Sequence, residues 1–215
     1  MRPVLCMITD RRRFGDASHR ALVERVAAAA RAGVHLIQIR ERDLDARTLT
    51  GLVAACVAAV RGTTARVLVN DRVDVAVAAG AHGVHLRGDS VPASRVRQIS
   101  PAVGLIGRSV HSVDDVLRAA AGGGLDYLLF GTVFQSGSKP GMTAAGVEAL
   151  AGAVRQTALP VLAVGGITAQ CAAEVAAAGA AGFAAINFFA DQRLEDTQVT
   201  VQQAALAFDT PGRVP

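Results

Sequence analysis

Apolar runs alternate with alanine-rich helical patterns along the whole chain, and this alternation constrains the fold more than any other feature. The runs suit strands that are buried on both faces, as in a parallel sheet. Eight strand–helix units fit the 215 residues, so the sequence predicts a single-domain (β/α)8 TIM barrel. The predicted strands cover 3–8, 34–39, 66–69, 83–86, 105–107, 126–130, 160–164 and 182–186, and the predicted helices lie near 18–32, 46–61, 72–79, 92–98, 112–121, 143–156, 168–178 and 194–208.

An open, doubly wound sheet is the competing architecture for strict β–α alternation. That fold usually has fewer strands, and it carries a glycine-rich turn after the first strand. Here the first strand is followed by Thr9-Asp10-Arg11-Arg12, which favours the barrel. We assign residues 1–208 to the barrel and predict that residues 209–215 form a disordered tail.

Charge and cysteine usage narrow the class of protein. The net charge is +4, but only Arg11-Arg12-Arg13 forms a run, and no aromatic residues interleave with it. We therefore expect no nucleic-acid partner, and interpret the run as a solvated loop or an attraction for small anions. Cys6, Cys56 and Cys171 are isolated and odd in number, as is typical of core residues in a reducing compartment. Because no signal peptide or apolar span is present, we expect a cytoplasmic protein without a membrane partner.

The segment 160–169 combines a buried strand, two glycines and a predicted helix start. Gly165 and Gly166 let the backbone approach a ligand closely, and Thr168 is a suitable N-cap residue. Unpaired N–H groups at such a turn bind anions, most naturally a phosphate. The alternative is a tight turn without a ligand. Thr143 and Ser112 are predicted to start two further helices.

Polar residues collect where the predicted strands end, which is the face that carries the chemistry in such barrels. Helix capping or surface ion pairs could explain each group separately, but their common position predicts a ligand site. The groups are 38–43, 70–72, His85 with Arg87, Asp89 and Ser90, Arg108 with Ser109 and His111, 131–141, and Asn187.

The character of this predicted site is cationic. Arg40, Arg42, Arg108 and Lys139 can neutralise phosphate oxygens, the arginines through two parallel hydrogen bonds and the lysine as a point charge. The segment Ser136-Gly137-Ser138-Lys139 adds hydroxyls, backbone amides and a cation within four residues. The sequence therefore predicts binding of phosphorylated small molecules.

Asp71 is the best candidate for a magnesium ligand, because Mg²⁺ bound with phosphate needs only one or two carboxylates. The alternative is that Asp71 caps the following helix. Arg40 and Glu41 could form an ion pair at the barrel rim. His85 and His111 are either acid–base groups or structural residues that hydrogen-bond to the backbone.

At these residues the chain, over about residues 4–190, resembles the thiamine-phosphate synthase and TenI superfamily. The resemblance rests on seven ordered motifs. They are Ile8-Thr-Asp10, Gln38-Ile-Arg-Glu-Arg42, Asn70-Asp-Arg-Val-Asp74, Gly83-Val-His-Leu86, Ile106-Gly-Arg-Ser-Val-His111, Phe130-Gly-Thr-Val-Phe134 with Ser138-Lys139, and Val164-Gly-Gly-Ile167.

The resemblance implies a Mg²⁺-dependent transferase of thiamine biosynthesis, which joins hydroxymethylpyrimidine pyrophosphate to thiazole phosphate and releases pyrophosphate. It also implies a homodimer. By resemblance, Gln38 holds the pyrimidine, Asp71 binds Mg²⁺, and Arg40, Asn70, Ser109 and Lys139 hold the pyrophosphate. Ser136, Ser138, Gly166, Ile186 and Asn187 would hold the thiazole phosphate, with Gly137 in the same loop. Arg40, Ser109 and Lys139 are the candidates that act on the leaving pyrophosphate.

Three residues depart from the synthase pattern. The second metal-ligating Asp aligns with Ser90, although Asp89 is adjacent. The pyrophosphate-binding Lys of the second strand is Arg42, which keeps the charge. The Ser after the eighth strand is Asn187, which is neutral for binding if backbone amides make the contact.

Two other functions remain open from the sequence. The TenI-like thiazole tautomerase branch shares Arg42 and a Ser at position 90, but its proton-shuttling His aligns with Thr132, and it usually lacks the Asp found here as Asp71. The third possibility is a non-catalytic binder or regulator of thiamine-pathway phosphates. The synthase function is the first prediction.

Overall fold

Eight parallel strands close into a barrel in which each strand pairs with its two neighbours in the chain and β8 pairs with β1. The structure is a computed structural model that describes residues 3–13, 19–135 and 143–208. The predicted (β/α)8 fold is confirmed. The strands are β1 Val4–Ile8, β2 Leu36–Ile39, β3 Arg66–Asn70, β4 Gly83–Leu86, β5 Leu105–Val110, β6 Tyr127–Phe130, β7 Val161–Val164 and β8 Gly182–Ala185.

Helices follow the strands and form the outer layer. Ser112 starts α5 as predicted, because its hydroxyl accepts the Asp115 N–H at 3.1 Å. Over the ranges that the structure covers, none of the helices combines the length and the apolar character that a membrane crossing needs. The helices are α1 His19–Arg31, α2 Ala46–Ala59, α3 Val73–Ala78, α4 Ala93–Ile99, α5 Val113–Gly122, α6 Gly146–Arg155, α7 Ala172–Ala177, α8 Asn187–Ala190 and α9 Thr197–Ala207, with 3₁₀ turns at Arg11–Arg13 and Leu194–Asp196.

Two apolar layers stabilise the barrel. Side chains that alternate along each strand point either outward to the helices or inward to the barrel axis. The larger, outer cluster packs the strands against the helices, and the smaller, inner cluster includes Cys6, Leu68, Leu129 and Leu162. Each fully buried aliphatic side chain contributes about 1.5–3 kcal/mol relative to an exposed one. The inner layer closes the barrel below the strand ends, and the polar residues lie above it.

Two predicted helix starts are wrong. The helix predicted from residue 168 begins at Ala172 with Cys171 at the N-cap position and no capping side chain, and the Thr168 hydroxyl lies 3.6 Å from the Cys171 sulfur. The helix predicted from Thr143 begins at Gly146. The N–H of Ala145 donates to the Thr132 carbonyl at 2.8 Å, which holds this stretch against the preceding loop.

The short helix α8 was not predicted, because four residues are too few for a helical period to be visible. Phe188 and Phe189 of α8 are buried against Phe183 of β8, whose ring also stacks on Phe208 at the end of the described chain. The Phe183 and Phe188 rings meet edge to face with centroids 5.2 Å apart. This aromatic cluster anchors α8 beside the carboxyl end of β8, where a phosphate was predicted to bind.

Candidate active site

A cavity of about 1530 Å³ opens at the carboxyl ends of the barrel strands. Among the residues described, seven arginines and three aspartates line it, an excess of positive charge that favours anionic ligands. The predicted site residues that line the cavity are Gln38, Arg40, Arg42, Asn70, Ser90, Ser109, Gly166, Ile186 and Asn187. The predicted residues Ser136, Gly137, Ser138 and Lys139 lie outside the described residues.

Gln38 and Asn70 form the floor of the cavity on neighbouring strands. The Gln38 amide N–H donates to Asn70 Oδ1 at 2.9 Å. Gln38 is 2% exposed, and its Oε1 has no hydrogen-bond partner within the described part of the chain. A buried acceptor without a donor lowers stability, so we expect Gln38 Oε1 to accept a hydrogen bond from a ligand. The same bond leaves the Asn70 amide N–H groups available to an anion.

Ser109 lies within β5 and not after it, because the strand extends three residues beyond the predicted end to Val110. Its hydroxyl is 2.8 Å from His85 Nε2, and His85 Nδ1 is 3.0 Å from the Tyr127 hydroxyl. His85 therefore contacts two side chains, which neither alternative from the sequence included. Burial, helped by the charge of Arg108, lowers the pKa of His85 to about 3, so the imidazole is neutral near pH 7.

Arg40 and Arg42 supply two cations at the cavity, and Asp10, Glu41 and Asp89 act on them at longer range than an ion pair. The predicted ion pair between Arg40 and Glu41 is not formed, because Glu41 pairs with Arg11 at 3.1 Å instead. The ion pairs found across the described ranges leave Arg40 and Arg42 without a carboxylate within 4 Å. Burial and the neighbouring charge of Arg42 lower the pKa of Arg40. A partly buried guanidinium without a carboxylate in ion-pair contact favours binding of an anion.

Arg108 lines the cavity as expected, but part of its guanidinium is engaged with the backbone of a neighbouring loop. Its guanidinium donates to the carbonyl oxygens of Gly88 at 3.0 Å and Ser90 at 3.2 Å, and also to that of Val91. Backbone carbonyls of a distant loop cannot be recognised as partners from the sequence. Arg108 therefore holds the β4–α4 loop, which carries Ser90, over the site.

Asp71 lies directly after β3 with a φ of 59°, a backbone conformation that few non-glycine residues adopt. Its N–H donates to the His85 carbonyl at 2.9 Å, and its carboxylate accepts the Ser90 hydroxyl. The alternative role of Asp71 as a helix cap does not hold, because α3 begins after Arg72 without a capping side chain. The loop geometry thus directs the Asp71 carboxylate towards the position aligned with the second metal ligand.

The carboxylate of Asp89, which lies beside Ser90 in the β4–α4 loop, is paired with an arginine. Arg87 binds Asp89 at 2.9 Å through Nε and also approaches Asp71 to 3.6 Å, and hydrogen bonding to Arg87 lowers the pKa of Asp89. No group of three or more potential ligand side chains surrounds a metal position among the residues described. One carboxylate with a neighbouring hydroxyl still fits Mg²⁺, provided that substrate phosphate oxygens and water complete the coordination.

Gly166 and Asn187 follow the neighbouring strands β7 and β8, and both line the cavity. Gly166 has a φ of 66°, and a Cβ at this position would lie 2.4 Å from the Gln135 carbonyl, so only glycine fits. The N–H groups of Gly166 and Asn187 make no hydrogen bond to other backbone groups that the structure describes. Arg13 donates to the Asn187 side chain at 2.9 Å, which leaves the Asn187 backbone to meet a ligand.

In the arginine run after β1, Arg11 is structural, whereas Arg12 and Arg13 line the cavity. Arg11 is buried and pairs with Glu41 and, through a two-pronged contact at 2.6 and 2.7 Å, with Asp43. This pairing lowers the pKa of Asp43 to about 2 and raises that of Arg11. Thr9 adds a hydrogen bond to Glu41 at 2.6 Å. The network ties the loops after β1 and β2 together beneath Arg40.

Thr132 and His111 do not supply the base of a tautomerase. Thr132, at the position of that base, is 7% exposed, and a hydroxyl is a poor base near neutral pH. The His111 ring contacts the Gly131 carbonyl through Nδ1. No contact at these residues favours proton shuttling.

Three side chains of the site were missed from the sequence. Arg13 was seen only as part of a charge run, and Arg87 only as one of several polar residues. Tyr127, the only tyrosine in the chain, lies in an apolar strand and was not considered as a hydrogen-bonding residue. A single hydroxyl in such a run, at an inward-facing position, was the available signal for a polar partner inside the barrel.

Comparisons with known proteins show the family of this chain. Residues 5–189 match the family described as thiamine monophosphate synthase. The thiamine-phosphate synthase of Roseiflexus sp. (strain RS-1) is 42% identical over 185 residues, covering 86% of this chain and 77% of that protein. The thiamine-phosphate synthase of Chlorobium luteolum is 39% identical over 186 residues, covering 86% of this chain and 84% of that protein.

Among solved structures, the thiamine phosphate pyrophosphorylase from Pyrococcus furiosus is similar with a TM-score of 0.82 and 32% sequence identity, covering 96% of this chain and 95% of that chain. A 3-hexulose-6-phosphate synthase has a TM-score of 0.70 at 18% identity, a likeness of fold alone. The family match spans most of the barrel and includes both sides of the cavity, and the chain therefore belongs to the thiamine monophosphate synthase family.

Proposed function

We propose that this protein is a thiamine-phosphate synthase that couples hydroxymethylpyrimidine pyrophosphate to thiazole phosphate. The observation that carries the proposal is a cavity with two separate sets of anion-binding groups around one buried, unpaired acceptor. Arg40, Asn70 and Ser109 form the first set, and the backbone of Gly166 and Asn187 forms the second. Two phosphorylated reactants fit this arrangement. Membership of the synthase family supports the same assignment.

The pyrimidine is held at the floor. Gln38 Oε1 accepts a hydrogen bond from the exocyclic amino group, which satisfies the buried oxygen. Accepting that bond increases electron donation from the amino nitrogen into the ring. Positive charge that develops at the methylene carbon is thereby stabilised as the bond to pyrophosphate breaks.

The pyrophosphate leaves with the bonding electron pair. Arg40, the Asn70 amide N–H groups and the Ser109 hydroxyl stabilise its increasing negative charge. Lys139 adds a further cation in this proposal, although it lies outside the described residues. Mg²⁺ held by Asp71, with Ser90 beside it, supplies charge neutralisation at the pyrophosphate oxygens when it is bound.

The thiazole phosphate is held by the N–H groups of Gly166 and Asn187, which place the ring nitrogen opposite the leaving group. That nitrogen forms the new bond to the methylene carbon and takes the positive charge of a thiazolium. No proton needs to move at the reacting atoms, so positioning and electrostatics provide the catalysis. This requirement suits a site whose histidine is neutral and buried.

The coupling assay tests the proposal directly. Both reactants are mixed with the protein and Mg²⁺, and the condensed product and released pyrophosphate are measured. Stoichiometric formation of both supports the synthase. Isomerisation of the carboxythiazole phosphate without metal would instead support the tautomerase, and binding without turnover would support a regulator.

Two variants test the metal position. Asp71→Asn is expected to lower the Mg²⁺-dependent rate on the order of 100-fold, since a metal ion contributes several kcal/mol to charge stabilisation. Asp74→Asn is the matched control, because Asp74 is exposed and pairs only with Arg72 across the described ranges. Ser90→Asp is expected to lower the Mg²⁺ concentration needed for half-maximal rate. Equal rates in the Asp71 and Asp74 variants would contradict the metal assignment.

We also propose that the protein is cytoplasmic and forms a homodimer. The three cysteines are buried and free, which suits a reducing compartment. The homodimer follows from the family resemblance. Sedimentation equilibrium of the purified chain tests it, with a mass of twice 22.0 kDa expected.

A further inference from the structure

We propose that Tyr127 and His85 are positioning residues that orient the Ser109 hydroxyl as a hydrogen-bond donor to the pyrophosphate. The inference deepens the proposed function and rests on its assignment of Ser109 to the pyrophosphate. It assigns a role to a buried tyrosine that touches no substrate.

The three side chains form one hydrogen-bonded chain inside the barrel. The Tyr127 hydroxyl is 3.0 Å from His85 Nδ1, and His85 Nε2 is 2.8 Å from Ser109 Oγ. Tyr127 is 5% exposed and His85 is 1% exposed, whereas Ser109 is partly exposed and lines the cavity. The chain therefore runs from the sealed interior to the ligand surface.

The direction of the bonds follows from Tyr127. Its hydroxyl has one hydrogen-bond partner in the part of the chain that the structure describes, and that partner is His85 Nδ1. If Nδ1 carried the proton, the buried tyrosine O–H would have no acceptor, which is unfavourable. The tyrosine therefore donates, Nδ1 accepts, and the proton of the neutral imidazole lies on Nε2.

The His85 tautomer determines whether the Ser109 hydroxyl can donate a hydrogen bond into the cavity. Nε2–H donates to Ser109 Oγ, so the serine hydrogen cannot point towards His85 and is free to point into the cavity. An anion needs a donor at this position. With the opposite tautomer, the serine would donate to His85 and present lone pairs to the pyrophosphate.

The position of Tyr127 is itself defined by a neighbouring strand. A Cβ on Gly107 would lie 2.0 Å from Tyr127 Cζ, so the ring packs directly on the glycine backbone. Gly107 pairs with Tyr127 in the β5–β6 register and with His85 in the β4–β5 register. This packing holds the hydroxyl at His85 and limits the other places it can reach.

The tautomer is measured by ¹⁵N NMR of histidine-labelled, ligand-free protein. Wild-type protein is expected to show His85 protonated at Nε2 only. Tyr127→Phe keeps the ring and removes the hydroxyl, so a mixture of tautomers is expected. A wild-type His85 protonated at Nδ1 would overturn the proposal without any variant.

The affinity for inorganic pyrophosphate, measured by calorimetry in the presence of Mg²⁺, tests whether the orientation of the Ser109 hydroxyl affects binding. Tyr127→Phe is expected to weaken binding about fivefold, which corresponds to about 1 kcal/mol. Ser109→Ala is expected to weaken it further, and the double variant should bind no more weakly than Ser109→Ala alone. Additive losses would mean that Tyr127 acts through general stability, and would overturn the proposal.

The outcomes separate this inference from the proposed function. If wild-type protein binds pyrophosphate and Tyr127→Phe changes neither tautomer nor affinity, the inference is refuted and the proposed function stands. If wild-type protein does not bind pyrophosphate, the proposed function and the inference both fail. In steady-state kinetics, Tyr127→Phe should raise the KM for the pyrimidine pyrophosphate and leave that for the thiazole phosphate unchanged.

Discussion

Replacing His85 with glutamine should remove a specific part of the pH dependence of stability. The folded-state pKa of His85 is about 3, whereas an unfolded histidine titrates near pH ~6.5. Below that pH the unfolded chain binds a proton that folded His85 does not. Stability from this residue is therefore complete above pH ~6.5 and is lost as the pH falls towards 3, by up to about 1.4 kcal/mol per pH unit.

Between pH 7 and pH 5 the stability lost through one such histidine is about 2 kcal/mol. Urea unfolding of wild type and His85→Gln at both pH values measures it. His82, whose pKa is also lowered by burial, is present in both proteins, so its contribution cancels in the difference. The gap between the two free energies of unfolding should shift by about 2 kcal/mol on acidification. Parallel pH profiles would refute the assignment of His85 as a buried neutral residue.

Two further predictions concern packing and ion pairs, and each has a matched control. Gly107→Ala should lower the free energy of unfolding by about 1–3 kcal/mol, because the added Cβ would overlap the ring of Tyr127. At the control position Gly122, an added Cβ meets no atom within 4 Å, so Gly122→Ala should be neutral or stabilising. Arg11→Ala should lower the free energy of unfolding by about 3 kcal/mol, because the buried carboxylate of Glu41 would lose its cation. The exposed Arg12 is the control, and Arg12→Ala should leave the free energy of unfolding nearly unchanged. Chemical denaturation measures both pairs, and equal effects within a pair would contradict the stated cause.

The barrel could be predicted from the sequence because a strand buried on both faces leaves a continuous apolar run. The glycine pair 165–166 and the polar residues after each run also indicated the end of the barrel at which the cavity opens. Helix starts were less accurate. At Thr168, the hydroxyl that was expected to cap a helix contacts the Cys171 sulfur instead, and hydroxyl spacing alone does not show this.

The hydrogen-bond partners of polar side chains were the main feature that could not be predicted from the sequence. Arg108 has the position and charge of a phosphate ligand, but part of its guanidinium donates to loop carbonyls about 20 residues earlier in the chain. Tyr127 has the appearance of a core aromatic residue, and its partner His85 lies 42 residues away. Contacts of this kind depend on strand register in the closed barrel, which local patterns do not contain.

The most direct test of the account is a crystal structure of the protein with Mn²⁺ in place of Mg²⁺, pyrophosphate and thiazole phosphate. We expect an anomalous peak coordinated by Asp71, and pyrophosphate oxygens within hydrogen-bonding distance of Asn70 and Ser109. We also expect the thiazole phosphate on the N–H groups of Gly166 and Asn187. Pyrophosphate bound elsewhere, or metal coordinated without Asp71, would contradict the proposal that the strand ends gather both anions in one cavity.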